Sequence, residues 1–371
     1  MAIVVGVDCR LIAESGIGTS LRGFLQPLIT SRPEWKFVLL GDPLMLRELH
    51  WCHRPNVAIE LFNASVYPVI DHWRWWRLRK FKLDLLWVPH FTIPLLSLVW
   101  RGRLLVTVHD ITLVAIPEVS GAAKYLYAYI FYKLIRFRAD AVFFVSRFSQ
   151  REFSARIGVP RGLNRVIYNG VAQEWFEAGR NVTTVRKSGE QFIVYVGNVK
   201  PHKNLRRLIS AFGSLINRIP HKLVIIGRNR GFRIGEEGIE DFAKPLGDRI
   251  RFAGAVDGAV LRSSVAQASF LVLPSLYEGF GLPALEAMAA GCPVVAARIP
   301  SLMEICGDAA AYFDPLDEDE IAESMLRMLE DEQLRQHHIV KGLDRALQFD
   351  WDASAKTLSL LMVELLHDGA A

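Results

Sequence analysis

The chain reads as an α/β protein made of two doubly wound, parallel-sheet domains facing a central cleft. Three observations predict this. Short runs rich in Val, Ile and Leu alternate with helical stretches along most of the 371 residues, as expected for strands covered by helices on both faces. The alternation stops over 172–190, where Gly179, Asn181, Thr183, Thr184, Ser188 and Gly189 read as a polar linker, and then restarts. Hydrophobic residues make up 51% of the chain and charged residues 22%. That supplies apolar material for real cores and argues against disorder.

The elements follow in order. Strands are expected at 3–8, 36–40, 57–61, 85–88, 104–108, 141–145 and 165–167, with a helix over 18–29. After the linker come strands at 192–196, 223–226, 250–252, 270–273 and 294–296. Helices are expected near 205–217, 259–267 and 284–290. The tail from Asp317 is helical and charged. Trp351 begins a last segment whose apolar stripe runs over 357–366. The expected domains are 1–175 and 191–350, with 351–371 as a C-terminal helix. Ligands of such sheets sit beyond the carboxyl ends of the strands.

Some classes are disfavoured. No run reaches the ~18 apolar residues of a membrane-spanning helix. Residues 1–8 read as a first strand, not a signal peptide. Cys9, Cys52, Cys292 and Cys306 form no CxxC pair and no metal-like cluster, so they read as reduced thiols of a cytosolic protein, with no metal expected. Charge is uneven. Residues 1–175 carry 22 Lys and Arg against 13 Asp and Glu, a net +9 within a chain total of +5. The first half is thus expected to face an anionic surface, membrane or nucleic acid.

The most informative stretch follows the apolar run 270–273. A glycine turn holds Glu278, Gly279, Phe280, Gly281 and Leu282. Pro283 then stands at a first helical position, and Glu286 lies about one turn further on. Strand, turn and helix start make an anion site, because amides point outward at the positive end of the helix dipole. Donors for phosphate beside carboxylates for hydroxyls suit a nucleotide sugar. A second loop, 196–204, carries Asn198, Lys200, His202 and Lys203 between a strand and a helix, where a lysine can reach a diphosphate. Other strand ends carry His109 with Asp110, Ser146, and Gly227 with Arg228. Gly16 and Gly18 open a helix, although the dinucleotide fingerprint fails at Leu21.

Glu278 and Glu286 around Gly-Phe-Gly-Leu-Pro resemble the donor signature of retaining GT-B glycosyltransferases of the family-4 (glycosyl transferases group 1) class. The resemblance implies the GT-B fold, with two Rossmann-like domains and a last helix, 351–371, crossing back to the first domain, and transfer of a hexose from a nucleotide sugar. It assigns Glu286 to the ribose hydroxyls and Glu278 to the donor sugar. Lys203 and the amides near Gly281, with Phe280 and Leu282, fall to the diphosphate, and His109 to the sugar 6-hydroxyl. Gly16 and Gly18 fall to the donor–acceptor junction. Many relatives carry arginine where this chain has Asn198, so Lys200 or His202 substitutes, or Asn198 gives a neutral hydrogen bond. Asp110 orients His109, contacts acceptor or caps the next segment. Ser146 contacts ligand or caps a helix, and Arg228 contacts nucleotide or is a surface residue. The Pro-His-Lys-Asn form is similar to bacterial mannosyl- and rhamnosyltransferases, which implies GDP-mannose. The competing readings are a nucleotide-sugar epimerase or hydrolase of the same fold, and a non-catalytic sugar-nucleotide-binding protein.

Trp73, Arg74, Trp76, Arg77, Arg79 and Lys80 form an unusual mix of indoles and cations. Tryptophan favours headgroups, and each cation near an anionic bilayer is worth about 1 kcal/mol. This reads as a membrane patch. It fits an acceptor that is a glycan or polyprenyl-linked oligosaccharide at the inner face of the plasma membrane. The alternative is that Trp73 and Trp76 pack inward. Lys124 to Arg138 repeats the theme. Nucleic acid is ranked lower as a partner.

Overall fold

The computed structural model describes residues 3–14, 16–63, 75–76, 79–180, 190–228 and 238–367. The chain divides into two compact units, Met1–Gly170 with Asp350–Ala371, and Val171–Phe349.

The first unit runs β1 (Val4–Asp8), α1 (Gly16–Ser31), β2 (Lys36–Gly41), α2 (Pro43–Arg47), β3 (Val57–Leu61), β4 (Leu85–Val88), β5 (Arg103–Val108), α3 (Thr112–Ala115), α4 (Pro117–Ser120), α5 (Ala122–Arg138), β6 (Ala141–Phe144), α6 (Arg147–Arg156) and β7 (Leu163–Val166). Its sheet is parallel, in the order β3-β2-β1-β4-β5-β6-β7. Successive residues of β2 feed opposite faces. Phe37 and Leu39 enter one core, Val38 and Leu40 the other, and all four are fully buried. That explains why the strands read as continuous apolar runs and not as alternating ones.

The second unit runs α7 (Gln173–Arg180), β8 (Phe192–Val196), α8 (Leu205–Ser214), β9 (Lys222–Ile226), α9 (Ile239–Ala243), β10 (Ile250–Gly254), α10 (Gly258–Gln267), β11 (Leu271–Leu273), α11 (Leu282–Ala289), β12 (Val294–Ala297), α12 (Pro300–Cys306), β13 (Ala310–Phe313), α13 (Glu318–Glu330) and α14 (Glu332–Ala346). Its parallel sheet has the order β10-β9-β8-β11-β12-β13.

α15 (Trp351–His367) belongs to the first unit and packs along α1. Trp351 decides where it sits. A Cβ on Gly23 would come within 2.3 Å of the indole, so only glycine leaves room for it. The Phe24 ring meets the same indole edge-on at 5.1 Å. Leu358, Leu361, Met362 and Leu365 are buried behind it, and such side chains contribute about 2 kcal/mol each.

Two expectations need correction. The segment 172–190 is not all linker: Gln173–Arg180 is helical, and Trp175 buries its ring in the second unit. Residues 181–189 lie outside the described residues. The strand Ala310–Phe313 was not expected, because two alanines carry little strand propensity. Pairing along β12 makes it the edge of the second sheet.

Candidate active site

In a doubly wound sheet, ligands gather where the strand order reverses, beyond the carboxyl ends of the two strands that flank the reversal. In the second sheet these are β8 and β11. The loops that leave them bring Lys203 and Glu278 together across 75 residues. Lys203 Nζ lies 2.6 Å from Glu278 Oε1, and Ser275 Oγ donates to the same oxygen at 2.7 Å. The two charged side chains are 19% and 14% exposed. The pair is therefore shielded enough to strengthen its attraction, yet keeps an open edge for a ligand.

The lysine is held from below. A short turn, Pro201–Lys203, ends at Asn204, which is left-handed at φ 60°. Asparagine tolerates that conformation better than most residues. Its buried amide donates to Pro274 O at 3.1 Å and Pro315 O at 2.7 Å, and its Oδ1 accepts from Arg207 at 2.9 Å. Leu276 N donates to His202 O at 2.8 Å. These bonds lock the loop after β8 to the turn after β11. The sequence assigns no role to Asn204 or Ser275. A lone Asn between a turn and a helix was the available signal.

Asn198 and Arg228 are brought to adjacent loops, after β8 and β9. Val199 N donates to Arg228 O at 3.1 Å, and a Cβ on Gly227 would lie 1.9 Å from Gly197 O. At the start of α11, Gly281 has φ 105°, closed to other residues without strain. Pro283 has no N–H, and Ala284 N donates to Gly281 O at 3.0 Å. The amides left to meet an anion there are those of Gly281 and Leu282. The Phe280 side chain is buried and packs edge-on against Phe349 at 6.0 Å. Glu286 lies in α11 on a partly exposed position.

The first unit holds a separate polar group at its own reversal, between β1 and β4. Asp8 ends β1 and is fully buried. Arg10 Nη2 lies 2.7 Å from Asp8 Oδ2, and His90 Nε2 lies 2.8 Å from the same oxygen. Burial alone would raise the Asp8 carboxyl, but Arg10 and His90 hold it well below the ordinary range. Thr92 N donates to His90 Nδ1 at 3.1 Å, which leaves the proton on Nε2, facing Asp8. Sequence reading missed this network. A charged residue ending an apolar strand was the only hint.

His90 sits next to Pro89, whose carbonyl lies 3.0 Å from His109 Nε2. His109 therefore donates from Nε2 and presents Nδ1 as an acceptor. Burial pushes its imidazole down to about 4, against the opposing pull of Asp110. The ring is neutral at physiological pH.

Asp110 Oδ1 accepts from Thr112 N at 2.8 Å, a local turn just ahead of α3. Ser146 is fully buried as the N-cap of α6, accepting from Ser149 N at 3.0 Å. Ser149 Oγ in turn donates to His109 O at 2.9 Å, so the cap steadies the histidine backbone. Gly16 and Gly18 lie in the first turn of α1 and not in a loop before it. A Cβ on Gly18 would fall 2.5 Å from Ile12 O, so this glycine serves close backbone packing.

Of the tryptophan–arginine segment, Trp73, Arg74 and Arg77 lie outside the described residues. Of the two described indoles, Trp75 and not Trp76 packs inward, edge-on to Phe62 at 4.7 Å. Trp76 is 54% exposed, with the Arg79 guanidinium 3.9 Å above its ring. Lys80 pairs with Glu60 at 2.7 Å, which reduces its free charge.

Two parallel Rossmann-like units define the class, a GT-B fold. Over 99% of this chain and 100% of the other, the structure superposes on sucrose-phosphate synthase of Thermosynechococcus elongatus with a TM-score of 0.82 at 21% identity. HepE of Anabaena, in a complex with UDP-glucose, gives a TM-score of 0.75 at 20% identity, over 98% of this chain and 100% of that one. Residues 16–175 match the family described as Glycosyltransferase Family 4, and residues 181–344 match Glycosyl transferases group 1. O-antigen chain mannosyltransferase B of Escherichia coli is 30% identical over 75% of this chain and 73% of its own length. O-antigen chain mannosyltransferase RfbU of Salmonella typhimurium is 29% identical over 71% and 72%. The chain belongs to this family of GT-B glycosyltransferases and is a glycosyltransferase.

Proposed function

We propose that this chain is a retaining glycosyltransferase that moves mannose from GDP-mannose onto a glycan or polyprenyl-linked acceptor at an anionic membrane surface. The observation that carries the reading is the Lys203–Glu278 pair at the reversal of the second sheet, beside the amides of Gly281 and Leu282. A cation and a helix start can receive a diphosphate, while carboxylates receive sugar hydroxyls. The mannosyltransferase names of the relatives from E. coli and S. typhimurium support the choice of sugar.

In this mechanism Glu286 holds the ribose hydroxyls, and Glu278 holds the donor sugar through its 3-hydroxyl. Lys203 and the two amides stabilise the charge that grows on the departing diphosphate, with Asn198 and Arg228 as further donors. That charge is larger in the transition state than in the bound donor, so these contacts lower the barrier and do not merely tighten binding. The acceptor hydroxyl attacks from the face that the diphosphate leaves, and a phosphate oxygen takes its proton. His109, neutral and fixed by Pro89 O, offers Nδ1 to the sugar 6-hydroxyl. Trp76 and Arg79 belong to the bilayer contact in this reading.

A thermal-shift panel of GDP-mannose, UDP-glucose and other nucleotide sugars tests the donor, since a specific ligand stabilises by mass action. NMR of the product then reads the anomeric configuration. Glu278→Ala is expected to abolish turnover with folding preserved. Stabilisation by another donor alone, or an inverted product, refutes the corresponding part. Rapid isomerisation without acceptor refutes transfer.

A further inference from the structure

α5 has the wrong face outside. Its buried side is ordinary: Ala128, Phe131, Tyr132 and Ile135 pack on the sheet. The opposite side, where a surface helix normally carries charges, presents Leu126, Ile130 and Phe137, which are 56%, 47% and 47% exposed. At 3.6 residues per turn these share one stripe with Ala122, Ala123 and Lys133. Its seventeen residues, Ala122–Arg138, include four cations and no carboxylate.

The cations on and beside this stripe are arranged around the apolar tips. Lys133 lies 5.1 Å from the Tyr129 ring and donates to Ile157 O at 2.8 Å. Arg136 lies 4.7 Å from the Phe137 ring and donates to Val159 O at 3.2 Å, and Arg161 lies 4.4 Å from the same ring. Among the described residues none of the three has a carboxylate partner. Asp140 pairs with Arg103 and Arg138, and Glu152 with Arg156. Val159, 59% exposed, extends the apolar surface. Tyr125 and Tyr129 stack along its margin with ring centroids 6.0 Å apart.

We propose that the outward face of α5, with Val159 and Arg161 beside it, docks on an anionic phospholipid bilayer. The apolar tips enter the headgroup boundary, the tyrosines lie at its level, and the three cations without a carboxylate partner among the described residues meet lipid phosphates. An apolar stripe ringed by uncompensated positive charge complements a surface that is negative outside and apolar beneath. This deepens the membrane part of the proposed function. It assigns the contact to a folded helix and not to the tryptophan–arginine segment alone.

The test uses the full chain in sedimentation with vesicles of phosphatidylcholine, alone or mixed with phosphatidylglycerol. The parent is expected to bind the mixed vesicles and to bind phosphatidylcholine weakly. Leu126→Ser/Ile130→Ser/Phe137→Ser is expected to lose at least about tenfold in binding. Lys133→Gln/Arg136→Gln/Arg161→Gln is expected to lose about fivefold per cation, roughly a hundredfold in all, on mixed vesicles only. Unchanged melting curves establish that both variants fold. If both variants bind as the parent does while changes at Arg79 and Lys80 abolish binding, the α5 proposal is wrong and the other patch carries the contact. If the parent binds neither vesicle but self-associates through Leu126 and Ile130, the face is a protein interface and the proposal is overturned. Donor stabilisation of both variants by GDP-mannose separates these outcomes from a failure of the catalytic reading.

Discussion

His109 should make the protein acid-sensitive in a defined window. Its folded pKa, about 4, lies below the ordinary 6.5. Between these values the unfolded chain binds a proton that the folded chain refuses, so stability falls as pH drops. The contribution is fully present above about pH 6.5 and is exhausted by about pH 4. The whole difference corresponds to about 3 kcal/mol, and about 2 kcal/mol of it is lost by pH 5. Glutamine can keep the bond to Pro89 O and does not titrate. His109→Gln should therefore flatten the stability profile between pH 7.5 and 4.5 relative to the parent. Subtracting the two profiles is essential, because His90, His221 and His338 are also depressed by burial and slope the same way. Denaturant unfolding at four pH values measures it. Parallel profiles for parent and variant would refute the claim that His109 is held neutral. The same depression predicts that kcat/KM shows no break near pH 6.5 attributable to His109.

Lys203→Met should lower kcat by about 10²–10³-fold, as expected for removing one donor to a developing oxyanion; single-turnover kinetics measures this, and a loss under threefold contradicts it. The same variant leaves Glu278 partly buried without its cation, costing about 1–3 kcal/mol, and adding Glu278→Gln should restore part of that in thermal melts. Glu286→Ala should weaken nucleotide binding by about 1.5–3 kcal/mol, the range for hydrogen bonds to a charged group, read by calorimetry with nucleoside diphosphate and no sugar. Gly281→Ala meets both the strained φ of 105° and Leu302 Cδ2 at 2.6 Å, so it should destabilise by about 1–3 kcal/mol and reduce nucleotide affinity as the helix start shifts.

The chain's sequence by itself determined the class of fold and the identity of the chemical groups. Strand runs, the glycine turn at 279–281 and the helix after Pro283 are local signals, because backbone conformation depends mainly on neighbouring residues. The family motif around Glu278 and Glu286 is likewise contiguous. Tertiary structure decided what those groups meet. Lys203 reaches Glu278 across 75 residues, and His90 reaches Asp8 across 82, because strand order places β8 beside β11 and β1 beside β4. Burial, not residue type, separated Trp75 from Trp76 and turned Ser146 into a cap. The exposed apolar stripe of α5 could not be read from composition, since helical periodicity marks an apolar stripe without telling which side faces the core.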